Sequence, residues 1–205
     1  MRSQAMGPAT ARDAPRLVDT LQLRGGQSVM VRAAEPRDGD SIQSYIRGLS
    51  PDSRRNRFFR ALNELSPAEL HRMTHPQHRR QLALIAETIT EGVCTMIGEA
   101  RYAVAGDDVT CEIAVSVAEA WRRLTLGTQL FEILARRAKG LGVRYVVADV
   151  LRSNEAMTAL ARQAGFVAKG PIADAMSIRM TKTLARPDAV RSGDGRTAQD
   201  YLIAV

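Results

Sequence analysis

The sequence predicts a mixed α/β (α+β) domain, a central sheet of about seven strands flanked by about four helices. Two observations carry this. Apolar residues alternate with period two in RQLALIAET (80–88), GVCTMIGEARYAV (92–104) and DVTCEIAVSV (108–117), which reads as three consecutive antiparallel strands. A helical stripe then follows, with Leu126, Leu130, Ile133 and Leu134 on one face, and leads into the continuous apolar run RYVVADVL (144–151). A strand apolar on both faces after a helix marks one parallel crossover in the centre of the sheet.

The elements follow in order. Residues 1–27 are rich in Arg, Gly, Pro and Ala without periodicity and read as a flexible tail. The domain is expected over residues 28–184, and residues 185–205 read as a second tail ending in the short apolar Tyr201–Val205. SVMVRAA (28–34) is the first strand. Pro36 opens a helix that runs to about Gly48. LSPDSRRNRFF (49–59) is a turn and short helix, whose Phe58 and Phe59 read as core residues. In SPAELHRM (66–73), Ser66 is the N-cap, Pro67 the first helical residue and Glu69 the partner in a capping box. Glu91-Gly92 separates the first two alternating strands, and Gly106-Asp107-Asp108 turns into the third. Gly140 and Gly142 end the helix that begins at Leu126. SNEAMTALARQA (153–164) is a helix capped by Ser153, and GFVAKG and AMSIRMTKTL are closing strands.

Composition narrows the function. Lys and Arg number 29 against 22 Asp and Glu, a formal net charge of +7 that favours anionic cofactors or polyanions. The charge is spread along the chain, aromatics are few and no nucleic-acid motif accompanies it, so no nucleic-acid partner is expected. No apolar run approaches the ~20 residues of a membrane span, and the first 17 residues lack the apolar centre of a signal peptide. Cys94 and Cys111 lie in apolar strand-like runs and read as buried free thiols, which points to the cytoplasm. His71, His75 and His78 are spaced by four and three, but Pro76 interrupts them and no acid joins them, so no metal site is expected.

The most informative stretch is Arg122-Arg123-Leu124-Thr125-Leu126-Gly127-Thr128, between the third alternating strand and the long helix. A βα turn in the middle of a mixed sheet is where ligands bind. Its free N–H groups and the helix dipole attract phosphate, and a glycine lets a ligand come close to the backbone. From the turn alone, two solvated arginines on a surface would look the same.

The order of elements and the segment from Cys111 to Phe166 resemble the GNAT superfamily of acetyl-CoA-dependent N-acetyltransferases. The pyrophosphate loop of that family reads Arg or Gln, two variable residues, Gly or Ala, one variable residue, Gly or Ala. Arg122 takes the first position and Gly127 the last, while Thr125 stands where the middle glycine is usual. The family's later signature, Asn followed by Gly-Phe, is matched by Asn154, Gly165 and Phe166. The resemblance covers roughly residues 29–184. It implies a GNAT fold and acetyl-CoA as co-substrate. Main-chain N–H groups of Arg123, Leu124, Thr125, Leu126, Gly127 and Thr128 would hold the pyrophosphate, and the side chains of Arg122 and Arg123 would add charge-assisted contacts. Val115, Ser116 and Val117 would pair with the pantetheine arm as another strand would. Asn154 would hydrogen-bond the cofactor, with Met157 in the same set. LSPDSRRNRFF, LSPAELHRMT and VLRSNEAMTALARQAGF narrow the resemblance toward the acetyltransferase domain of bacterial protein-lysine acetyltransferases.

Acetylation needs a neutral amine, whereas a lysine side chain, with a pKa of about 10.4, is almost wholly protonated at pH 7. A base must take the proton, directly or through water. Many members of the family use a glutamate on the central strand, and Glu112 is in that place, a carboxylate in an apolar run. Glu99 on the neighbouring strand is the alternative, and a solvated, arginine-paired Glu112 is the bland reading. The tyrosine that many members carry shortly before Gly-Phe is replaced here by Ala161, so no tyrosine acid is expected, and Tyr102 and Tyr145 read as structural. Arg54, Arg55, Arg57 and Arg60 would lie near the acceptor cleft, where they could favour an acidic acceptor or form a solvated helix face. The expected partners are acetyl-CoA and an amine, either a protein lysine or a small molecule. A non-catalytic acetyl-CoA-binding module is the rival, and the chain is expected to be a monomer or homodimer.

Overall fold

The computed structural model describes residues 18–76, 80–171 and 176–184. Strands β1 (Val18–Gln22) and β2 (Ser28–Ala33) lead into helices α1 (Gly39–Gly48), α2 (Pro51–Phe58) and α3 (Pro67–Thr74). β3 (Gln81–Thr90), β4 (Val93–Val104) and β5 (Thr110–Val117) follow, then α4 (Leu126–Gly140), β6 (Tyr145–Leu151), α5 (Glu155–Gln163), β7 (Val167–Pro171) and β8 (Ser177–Thr183). The sheet order is β1-β2-β3-β4-β5-β6-β8-β7, antiparallel except where β5 and β6 run parallel. The described residues thus hold eight strands and five helices.

The added strand is β1, which composition assigns to the N-terminal tail. It pairs with β2 through a Gly25-Gly26 turn, both glycines at positive φ, where a side chain would be strained. Asp19 ties β1 to α4 through Arg136 and Arg137 at 2.9 and 2.8 Å. The tail reading failed because β1 is an edge strand whose side chains alternate only between exposed and half-buried, a weak signal beside the fully apolar central strands. The terminal Tyr201–Val205 lies outside the described residues.

The sheet separates two apolar layers. α4 and α5 cover one face, with Leu126, Leu130, Phe131 and Leu134 against Ile97, Ala100, Ile113 and Val115. α1, α2 and α3 cover the other, with Ile42, Ile46, Phe58 and Met73 against Ala83 and Ile85. Local chemistry fixes several ends. Ser66 and Glu69 form the expected capping box of α3. Glu91 and Gly92, at φ 52° and 80°, make the two-residue turn between β3 and β4, both residues left-handed as a tight hairpin demands. α5 is capped by Asn154 rather than Ser153, the Asn154 side chain accepting from the Met157 N–H at 3.1 Å. Cys111 is buried, but Cys94 is exposed near the tip of the β3–β4 hairpin, where the strands outrun the layers that cover them. Burial, followed by the neighbouring Glu112 charge, pushes the Cys111 thiol up to about 12. Among the described residues no helix is long and apolar enough to cross a membrane.

Candidate active site

The parallel pairing of β5 with β6 is short. It covers Thr110 with Tyr145, Cys111 with Val146 and Glu112 with Val147, and then the strands part. β5 remains paired to β4 as far as Val117, so from Ile113 onward one edge of β5 faces the gap without β6 beside it. An exposed strand edge is a template for an extended, amide-bearing chain. Val115, Ser116 and Val117 lie along that edge.

The 122–128 turn follows β5 and leads into α4. Arg123 and Thr125 are both left-handed, at φ 62° and 75°. Thr125 therefore occupies the glycine-like backbone state that the middle position of the loop demands, although it is β-branched. Its side chain makes no cap to the first turn of α4, and no acidic residue lies in that turn. The N–H groups at the helix start, at Leu126, Gly127 and Thr128, thus receive no cap from the Thr125 side chain. Arg122 is engaged within the protein: its Nε donates to the Val117 carbonyl at 2.9 Å and its Nη2 to Ser53 Oγ at 2.7 Å, with Glu119 at 3.2 Å. Arg123 is exposed. Leu124 accepts at its carbonyl from the Arg24 N–H at 3.2 Å, and Gln129 bridges Thr125 Oγ1 to the Gln22 carbonyl, so the β1–β2 hairpin braces the loop.

Gly127 has a packing role. A Cβ built there would meet Leu160 Cδ2 at 2.8 Å, so its lack of a side chain lets α5 approach the first turn of α4. Asn154 and Met157 sit at the start of α5, beyond the C-terminal end of β6 and so on the far side of the gap, and Met157 packs half-buried against the main core.

The face toward α1–α3 carries buried charged side chains. On β5, Cys111, Ile113, Val115 and Val117 pack into the α4 layer, so Glu112, Ala114 and Ser116 point the other way. Glu112 is 6% exposed. Glu99, 1% exposed, is held by two hydrogen bonds from Arg57, which is also buried. Tyr45 Oη and Ser116 Oγ are 2.6 Å apart, and burial pushes the phenol far up. Asp149 receives Arg179 at 2.6 Å on β6. Arg101 lies on β4, opposite Ala114 and 4% exposed.

Of the four arginines at 54–60, two are buried, which overturns the solvated helix face. Arg54 donates to the carbonyls of Arg47, Leu49 and Leu62, and Arg57 to Glu99, while Arg60 reaches Glu69 and only Arg55 projects from α2 into solvent. The helix is too polar for periodicity to reveal which face is inside. Phe58 is core as expected, and Phe59 is the half-buried left-handed C-cap of α2. Sequence reasoning also missed Tyr45 and Arg101. Arg101 carried the same signal as Glu112, a charge inside an apolar strand. His71 and His75 stack on each other with ring centroids 3.9 Å apart, and His78 lies outside the described residues. Among the described residues no group of three or more His, Cys, Asp or Glu could hold a metal.

The model of the acetyltransferase (GNAT) family matches residues 51–166, more than half of the chain. The chain belongs to the GNAT acetyltransferase family. It is similar to acetyltransferase PA5475 of Pseudomonas aeruginosa, 30% identical over 145 residues that cover 71% of this chain and 78% of that one. Among solved structures, the GNAT domain of S. lividans PAT superposes with a TM-score of 0.75 at 26% identity, covering 81% of this chain and 96% of that one. The Salmonella typhimurium acetyltransferase YncA, solved with its cofactor acetyl-CoA, gives 0.64 at 20% identity, over 82% and 99%. The GNAT chain is an acyltransferase, and acetyl-CoA is its donor. The open β5 edge and the uncapped start of α4 fit such a molecule, an amide-bearing arm leading to a pyrophosphate.

Proposed function

We propose that this chain transfers the acetyl group of acetyl-CoA to a primary amine, with Glu112 as the proton acceptor. The observation that carries the reading is the place of Glu112. It is a buried carboxylate at the last paired position of β5, just before β5 and β6 part. Acetyl-CoA supplies a thioester. Val115, Ser116 and Val117 hold its pantetheine arm along the open strand edge, and the N–H groups of Arg123 through Thr128 hold its pyrophosphate. Arg123 adds a side-chain contact and Arg122 stiffens the loop from within. Asn154 uses its Oδ1 to cap α5 and its amide N–H groups for the cofactor, and Met157 lines the same side. Glu112 takes the ammonium proton, directly or through water, and frees the nitrogen lone pair. The C–N bond then forms, the C–S bond breaks and the thiolate leaves. No tyrosine is available at Ala161, and solvent or the amine's second proton reprotonates the sulfur. Glu99 is the weaker candidate, because Arg57 already takes both of its oxygens.

The acceptor is a protein lysine or a small-molecule amine. A panel of lysine peptides and small amines, read by release of free thiol, tests the activity and assigns the class. Tight acetyl-CoA binding with no thiol release from any acceptor would favour the non-catalytic module instead.

A further inference from the structure

Arg101 is a buried cation that no contact among the described residues neutralises. It is 4% exposed, and its Nε is fully buried with no hydrogen-bond partner. Among the described residues no carboxylate lies within ion-pair distance of it: Glu99 is taken by Arg57, and Asp149 by Arg179. Burial, and after it the positive Arg57, push the guanidinium down to about 10 although the charge of Glu99 pulls the other way, and it stays charged at neutral pH. A buried charge without a partner is strongly destabilising, so a counter-charge from beyond the described residues, such as a ligand's, would stabilise it. The location says which ligand. Arg101 sits on the same face as Glu112, one strand over and two residues along, level with Ala114 where β5 has already left β6. The small Ala114 side chain stands opposite it, on the face of the sheet that α1–α3 cover and to which Glu112 also points.

We infer that Arg101 binds a carboxylate carried by the acceptor a few atoms from its reactive amine. The inference rests on the reading of Glu112 as the base, since that is what places the amine. The guanidinium fork matches a carboxylate in a bidentate way that the point charge of lysine does not. Such a carboxylate has two sources, the acid group of a free amino acid or an Asp or Glu beside a lysine in a peptide. A polyamine has neither and would meet Arg101 as a like charge.

Two matched pairs of acceptors test this. Free lysine is compared with lysinamide, and a capped Lys-Glu dipeptide amide with its Lys-Gln counterpart. The wild type should prefer the acid member of at least one pair in kcat/KM by roughly 10²-fold, the usual scale for a desolvated charge pair, and the pair that responds names the source. Arg101→Met should abolish the preference, and Arg101→Lys should keep part of it. Equal rates within both pairs for the wild type, or a preference that survives in Arg101→Met, overturns the inference. Stability gives an independent reading. Removing an unneutralised buried cation should raise the melting temperature of Arg101→Met, and a lower one would show that the chain itself supplies the counter-charge and would also overturn it. If no acceptor is turned over, the catalytic reading fails separately. Calorimetric titration of the coenzyme A complex with lysine and lysinamide then decides for Arg101, binding of lysine alone supporting the carboxylate site and equal or absent binding of both refuting it.

Discussion

Thr125 is held at φ 75°, a left-handed conformation that costs an ordinary residue about 1–2 kcal/mol and a β-branched one no less. The family resemblance marks this position as a usual glycine, and the backbone angle supplies the reason. Thr125→Gly should relieve the strain, offset in part by the greater freedom of glycine in the unfolded chain, for a net gain of up to about 1 kcal/mol. Urea denaturation checks this, and a clear loss of stability would mean that the Gln129 contact to Thr125 Oγ1 outweighs the strain. Glu112 is the second residue on which the reading turns. Glu112→Gln keeps its shape and removes the base, so turnover should fall by roughly 10²–10⁴-fold while acetyl-CoA affinity changes little. Raising the pH should rescue part of the loss, because more of the amine is then already neutral. Full activity of the variant from about pH 6 to 9, the range in which a tuned base operates, would move the assignment to Glu99 or a solvent path.

At the level of elements, the close approach of α5 to the start of α4 depends on Gly127. Gly127→Val would push against Leu160, whose Cδ2 lies only 2.8 Å from where the new Cβ would stand, and because that atom ends a half-buried side chain that can turn aside, the change should cost only about 1 kcal/mol of stability, the low end of overpacking. Acetyl-CoA affinity should fall with it, since the same turn presents the N–H groups. Thermal melts with and without acetyl-CoA separate the two effects: a lower melt with an unchanged ligand-induced shift would confine Gly127 to packing. The glycine was legible in the sequence as a loop residue but its Leu160 contact was not, because helix–helix approach is a tertiary fact. The Ser66–Glu69 capping box and the Glu91-Gly92 turn were readable because their chemistry is local. β1 was not, since an edge strand with a half-exposed pattern has no strong periodicity. The cap of α5 fell on Asn154 rather than Ser153, a one-residue ambiguity between two good capping types. Glu112 could be found as a lone charge in an apolar strand, whereas Arg54 and Arg57 could not be told from solvated neighbours in a helix that is polar on every side.

Across the whole molecule, the sheet holds α1–α3 on one face and α4–α5 on the other, and β5 and β6 part between them. The two layers are joined by Glu119, just after the end of β5. Its carboxylate accepts from the Ser53 hydroxyl at 2.5 Å and the Ser50 N–H at 3.2 Å on α2, while Arg122 reaches it from the loop before α4. Burial works to raise its pKa, but the bonds from Ser53 and Ser50 overcome this and hold it at about 2. Asp38, held by Arg32 and the Glu35 N–H, and Glu69, held by Ser66 and Arg60, are likewise lowered against the effect of burial. A carboxylate whose pKa is lower folded than unfolded favours the native state while it is ionised. Its contribution is complete above the unfolded value of about 4 and is lost as the pH falls from there toward the folded value. The protein should therefore lose stability steeply between about pH 5 and pH 2. Glu119→Gln, which cannot titrate, isolates one share of the effect. The variant should be less stable than the wild type at pH 7, and the difference should shrink as the pH drops below about 4. Denaturant midpoints measured at neutral pH and at two acid values test this directly. A gap between the two proteins that stays constant with pH would show that the link between the layers rests on the shape of the side chain rather than on its charge.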